Sequence, residues 1–149
     1  MRVVVQRCKN ASCTVDGNIT GTCEKGFMIL VGFNVSDSED LLPKLAKKVA
    51  GLRVFEDENG KMNKSLADIS GSILSISQFT LYADCKHGNR PGFTNAMPGD
   101  KASILYDKFN DILRKDYGLH VECGIFGADM KISFVNDGPV TIILDSEEL

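Results

Sequence analysis

The chain has 149 residues, 43% of them hydrophobic and 25% charged, and 17 Lys and Arg against 20 Asp and Glu leave a formal charge of −3. That length predicts one domain over residues 1–149, able to bury its own core without a disulfide or a structural metal. The acidic balance excludes a global basic field for nucleic acid, though not a local patch, and the longest apolar run, Phe27 to Phe33, is far below the roughly 18 residues that cross a bilayer.

In chain order, Val3 to Cys8 and Ala11 to Val15 read as short strands. Asp16-Gly17 between Val15 and Asn18 is a strong hairpin signal, because both positions tolerate positive φ. The N-terminus has three valines before Gln6 and Arg7, too short for a secretory leader. Five cysteines without CxxC spacing fit a reducing compartment as small buried apolar residues, so a cytoplasmic protein is expected. Phe27 to Phe33 reads as a strand covered on both faces. Leu42, Leu45, Val49 and Leu52 repeat at helical spacing, with Lys44, Lys47 and Lys48 elsewhere on the wheel. Two starts compete for this helix: a capping box of Ser36 and Glu39, and Pro43 in the first turn. Glu56 to Gly60 is a polar turn, and Ser72 to Leu81 is the longest strand candidate. A second helix is predicted from about Pro98 to Tyr117, with Ala102, Leu105, Phe109 and Ile112 on its apolar face and Gly118 as its stop. Leu119 to Phe126, Met130 to Val135 and Val140 to Leu144 give three further strands. The fold class is α/β, with helices layered on mixed or antiparallel sheets.

Ordinary catalytic machinery is absent from this sequence: it has no G-x-S-x-G, H-E-x-x-H, Walker or dinucleotide fingerprint. His87 lies two residues from Cys85 in a loop rich in glycine, which raises a thiol nucleophile, but no metal-spaced ligand stands nearby. His120 alternates with Leu119 and Val121 and reads as a surface strand residue. Two segments stand out. In Ser75-Ile76-Ser77-Gln78-Phe79-Thr80-Leu81, an apolar strand turns rich in hydroxyls and an amide at its end, where polar groups need partners. In Asn136-Asp137-Gly138-Pro139-Val140-Thr141, Gly138 has conformations open to it that other residues lack, and the bond to Pro139 is a candidate for cis.

Ser77-Gln78-Phe79-Thr80 together with Asn136 to Thr141 resembles the paired signature of the D-aminoacyl-tRNA deacylases, first known as D-tyrosyl-tRNA deacylases. Met1 to Arg7, Leu52 to Asn63, Gly88 to Phe93 and Phe126 to Met130 look like further family blocks in family order. Departures are small: Cys8 stands where an aliphatic residue is favoured, and Gly92 where serine is common. The resemblance implies a three-layer β/β/α domain with two main helices. It also implies a cytoplasmic homodimer that hydrolyses the ester between a D-amino acid and the 3′-terminal adenosine of tRNA. Achiral glycine, as glycyl-tRNA mischarged on tRNA-Ala, is implied as a substrate and L-aminoacyl esters are rejected; no cofactor, metal, membrane or DNA partner is expected. Carried over by position, Phe79 and Thr80 present backbone N–H groups to the ester, while Ser77 and Gln78 shape the pocket. Phe126 faces the adenine with Met130 nearby, and Ala102 has to stay small. Gly138-Pro139, cis and oriented by Arg7, enters the partner subunit's pocket. Whether the Thr80 hydroxyl is a nucleophile stays open at this point. Lys44, Lys47 and Lys48 are candidates for acceptor-stem phosphates. Two other readings compete: an RNA-binding module without chemistry, and a thiol hydrolase using Cys85 and His87.

Overall fold

In the computed structural model, which describes residues 1–149, the two expected N-terminal strands are one. β1 runs from Arg2 to Val15 and changes direction at Asn10, whose φ of 51° is left-handed. Asp16 and Gly17, at φ 49° and 79°, turn the chain into β2, Asn18–Gly32. Both central residues of the turn are left-handed, as a two-residue hairpin requires.

β2 is the spine of a five-stranded mixed sheet. It pairs antiparallel with β1 and parallel with β5 (Ser72–Ser77). β6 (His120–Cys123) extends the sheet parallel to β5, and β7 (Lys131–Asp145) lies antiparallel to β1 on the other side, giving the order β6-β5-β2-β1-β7. The links from β2 to β5 and from β5 to β6 carry α1 (Leu42–Gly51) and α2 (Gly99–Lys115). β3 (Phe55–Glu56) and β4 (Met62–Lys64) form a small antiparallel ribbon whose turn is held by Asp57, Oδ1 accepting the N–H groups of Asn59 and Lys61 at 2.8 and 3.0 Å.

Alternation along the strands loads both faces of the sheet. Val3, Val5, Phe27, Ile29 and Val31 pack against Leu42, Leu45, Val49, Phe109 and Leu113 of the helices. Around Asn10 the inward residues of β1 and the facing part of β2 join a second cluster: Cys8, Ala11, Cys13 and Cys23 cover Met28, Leu74 and Ile76, with Met130, Ile132 and Phe134 packed against them. The bend thus folds the far ends of β1, β2 and β7 over the back of the sheet, and the expected β/β/α layering results. Cys8, Cys13 and Cys23 are the buried filler that the composition suggested, whereas Cys85 is exposed. No helix is long and apolar enough to cross a membrane.

Several elements differ from expectation for local reasons. The Ser36–Glu39 box is not formed. Ser36 bonds Asn34 instead, Glu39–Leu41 makes a 3-10 turn, and Pro43 lies in the first turn of α1, where its missing N–H has no intrahelical acceptor anyway. The strand expected to reach Leu81 ends at Ser77. Its neighbour β2 ends at Gly32, so after Gln78 donates to the Val31 carbonyl at 2.8 Å no partner remains, and Phe79–Tyr82 closes a 3-10 turn. α2 is turned by about one position: Tyr106, Asn110 and Leu113 are buried with Ala102 and Phe109, while Leu105 and Ile112 are only partly covered. The strand expected over Leu119 to Phe126 stops at Cys123, because the following chain leaves the sheet to wall a cavity. The last two expected strands are the single β7, interrupted where β1 pairs Gln6 with Thr141 and then Cys8 with Asn136, so that Arg7 alone faces Asp137 to Val140.

Candidate active site

Where β5 gives way to the 3-10 turn, a cavity of about 260 Å³ opens between the sheet and the start of α2. Six of the sequence-selected residues line it: Ser77, Gln78 and Phe79 on one side, Ala102 from the first turn of α2, and Phe126 and Met130 from the segment between β6 and β7. Two glycines explain its shape. A Cβ on Gly32 would lie 2.7 Å from the Gln78 carbonyl oxygen, so only glycine lets β2 end this close to the turn; one on Gly124 would collide with the Met130 sulfur.

Thr80 does not line the cavity with its side chain. It is exposed, and its hydroxyl oxygen accepts the Gln78 amide N–H at 2.5 Å. As a 3-10 turn begins here, the backbone N–H groups of Phe79 and Thr80 precede any intrahelical acceptor. Gly138, Pro139 and Arg7 are also outside their own chain's cavity. Gly138 and Pro139 form a separate exposed projection. Arg7, nearly buried, donates from Nε to the Asp137 carbonyl at 2.8 Å and from Nη1 to the Val54 carbonyl at 2.6 Å. Asn136 Oδ1 accepts the Val140 N–H at 3.1 Å, and the Asn136 amide donates to Gln6 Oε1 at 2.8 Å. The Gly138–Pro139 bond is cis, with Gly138 at φ 141°.

Tyr106 was not selected from the sequence, yet it organises the wall. Its hydroxyl donates to the Ser75 carbonyl at 2.7 Å, and its ring lies 5.9 Å from that of Phe126. Burial pushes its phenol pKa up, so it remains a neutral donor. The helical periodicity that pointed to Leu105 gave no sign of it. Gly32 carried one legible signal, a glycine within an apolar strand.

The only charged residue in the lining is Asp129, whose carboxylate is exposed and paired with Lys131 at 3.0 Å. No histidine, cysteine, lysine or arginine lines the cavity. His120 is on the surface, bonded to Glu122 at 2.8 Å. Cys85 borders a different depression with Arg2 and Tyr82, which His87 does not join, so the thiol pair has no place in this cavity. Lys44, Lys47 and Lys48 are exposed on α1, away from the cavity lining, and Lys44 Nζ is engaged by the Leu149 carbonyl.

A family model described as D-Tyr-tRNA(Tyr) deacylase matches residues 4–145, nearly the whole chain. The chain belongs to the D-Tyr-tRNA(Tyr) deacylase family. A D-aminoacyl-tRNA deacylase of Bacillus cytotoxicus is 57% identical over 147 residues, covering 99% of this chain and 100% of the relative. One from Thermus aquaticus is 54% identical, covering 99% and 97%. A solved structure described as a c-Myc DNA Unwinding Element Binding Protein superposes with a TM-score of 0.91 at 42% identity over 97% of this chain and 98% of its own. A probable eukaryotic D-amino acid tRNA deacylase shares the fold, with a TM-score of 0.82 at 18% identity over 96% and 97%. As a member of the deacylase family the chain is an enzyme, a hydrolase acting on an ester bond.

Ala102, only 7% exposed, lines the cavity. Ala102→Leu is expected to occlude it, raising KM for an aminoacyl ester roughly tenfold or more while the thermal midpoint moves by only a few degrees. Steady-state kinetics beside a melting curve checks this.

Proposed function

We propose that this cavity receives the D-aminoacyl-adenosine end of tRNA and that water hydrolyses the ester while the Phe79 and Thr80 N–H groups hold the developing oxyanion. Attack on the carbonyl moves negative charge onto its oxygen, and one preorganised donor aimed there contributes about 2.7–4 kcal/mol. The observation that carries this reading is the pairing of a cavity without a basic side chain with two N–H groups at its edge that a 3-10 turn leaves without intrahelical acceptors. The Thr80 hydroxyl already accepts from Gln78, and no basic side chain lines the cavity beside it, so a ribose hydroxyl of the substrate is the better group to position the water. Phe126, partly exposed at the rim, offers its face to the adenine, with Met130 beside it.

The pocket is completed by a second copy of the chain. β7 is a 15-residue edge strand with Ile143 66% and Val135 55% exposed, the kind of edge that proteins cover. From it projects Gly138-Pro139, tied down by Arg7 and Asn136 but touching nothing in its own cavity. In a homodimer this projection enters the partner's pocket. Its backbone then occupies the space into which an L side chain would point, while a D side chain points away and glycine has none to reject. Discrimination comes from exclusion of one enantiomer, since both carry the same groups to attract. The work of such an enzyme lies with translation in the cytoplasm.

The test is release of free amino acid from D-tyrosyl-, L-tyrosyl- and glycyl-tRNA assayed side by side. Hydrolysis of the D-tyrosyl and glycyl esters is expected, with the L-tyrosyl ester left near its spontaneous rate. Binding of D-tyrosyl-tRNA without turnover would instead make the protein a binding module.

A further inference from the structure

The lining of the cavity ends at Phe79, but the aromatic surface does not. Phe79 is 56% exposed, and the ring of Phe93, 39% exposed, meets it edge-on with centroids 5.0 Å apart. Phe93 does not itself line the cavity, so it is placed to touch only a ligand that extends beyond the mouth. Single exposed apolar residues are ordinary on protein surfaces. Two in mutual contact at the rim of an active site are less so.

Phe93 ends a projecting loop. Every residue from Cys85 to Asn95 is exposed, and the neck is closed by paired backbone bonds between Asp84 and Gly92 at 2.7 and 2.9 Å. The loop carries Lys86, His87 and Arg90, and no acidic residue occurs between Asp84 and Asp100. Lys86 and Arg90 have no carboxylate partner, whereas Lys9, Lys64, Lys108, Arg114, Lys115 and Lys131 each have one. In a chain of net charge −3 this is a local cationic patch joined to an aromatic one. Aromatic faces beside unpaired cations are what proteins present to single-stranded nucleic acid, where bases stack and phosphates pair.

We infer that Phe93, Arg90 and Lys86 form a second subsite, which holds the nucleotide preceding the terminal adenosine in the single-stranded 3′ end of the RNA. The base lies against Phe93 where that ring meets Phe79, and the phosphate lies against the guanidinium and ammonium groups of the loop. The inference rests on the reading of the cavity as the seat of the aminoacyl-adenosine. It supplies an RNA contact beside the cavity, which the lysines of α1 do not line.

The test compares two substrates, D-tyrosyl-tRNA and D-tyrosyl-adenosine, an ester that has the terminal nucleoside but no phosphate and no second base. Phe93→Ala is expected to lower kcat/KM on the tRNA roughly tenfold, with Phe93→Tyr restoring it. The K86A/R90A double variant should weaken binding and flatten the log–log salt dependence by about 0.7 for each phosphate left without its cation. Both variants should hydrolyse D-tyrosyl-adenosine like the unaltered protein. Equal losses on the two substrates, or no loss on the tRNA, would overturn the subsite. So would a change in oligomeric state of Phe93→Ala, which would place the ring beneath a second copy of the chain. If the unaltered protein hydrolyses neither ester, the reading of the cavity fails first and the subsite falls with it.

Discussion

Thr80→Pro lowers kcat on D-tyrosyl-tRNA by about 10²–10³ or more, whereas Thr80→Ala retains measurable turnover, if the oxyanion is held by main-chain donors. The alanine variant removes only a hydroxyl that accepts from Gln78 and leaves the N–H in place. The proline variant removes that N–H, which has no acceptor within the 3-10 turn, so the turn itself loses no hydrogen bond. Proline at 80 does restrict Phe79 before it, so a melting curve must accompany the kinetics. Phe79→Pro provides a second version of the test. Gln78, at φ −147° and ψ 88°, already lies outside the helical region that a following proline disfavours, and Phe79→Leu separates loss of the ring from loss of the N–H. A folded Thr80→Ala protein with no activity would make the hydroxyl the nucleophile.

The second large effect is expected at Gly138. A Cβ there would lie 2.8 Å from Val140 Cγ2, 3.0 Å from the Val140 nitrogen and 3.2 Å from an Arg7 guanidinium nitrogen, at a φ of 141° that L residues rarely adopt. Arg7 cannot easily give way, because its carbonyl partners at Asp137 and Val54 hold it from both sides. Gly138→Ala therefore displaces the projection rather than merely thickening it. A shift of about 1 Å in a positioning element can cost 10²-fold in rate, and kcat/KM on D-tyrosyl-tRNA should fall by about that factor. The melting temperature should change little, since Gly138 and Pro139 are exposed and belong to neither apolar cluster, although Val140 beside them packs on the larger one.

The sequence reading captured the elements whose signals are local and missed those set by neighbours. Asp16-Gly17, the double-sided burial of Phe27 to Phe33, Pro43 in a first turn and Gly118 as a helix stop each follow from one residue's own preferences or from a simple period. The end of β5 does not, because it is decided by where β2 stops in space. The continuity of β7 was hidden for a similar reason: Asn136 to Thr141 reads as a loop, yet Arg7 spans the bulge and the ladder resumes beyond it. α2 was assigned a face one position off, because Tyr106 and Asn110, polar by type, are turned inward and Tyr106 finds a carbonyl there. For the site, the strand-end motif supplied Ser77, Gln78 and Phe79, the Phe126 to Met130 block supplied Phe126 and Met130, and Ala102 came from its position in the family. All six meet in one cavity. Gly32 and Tyr106 lie in no such motif. Their roles come from contacts across strands and layers, which no spacing along the chain encodes.

Under the proposed mechanism each active site joins the Phe79–Thr80 turn of one subunit to the Gly138-Pro139 projection of the other. Subunit complementation measures this directly. Thr80→Pro and Gly138→Ala proteins, each nearly inactive alone, are mixed under conditions that exchange subunits and assayed on D-tyrosyl-tRNA. A mixed dimer then contains one site with both defects and one with neither, so random exchange should restore roughly a quarter of the unaltered activity. If the projection served its own subunit's pocket, both sites of the mixed dimer would carry one defect each, and a mixture no more active than its components would contradict the account.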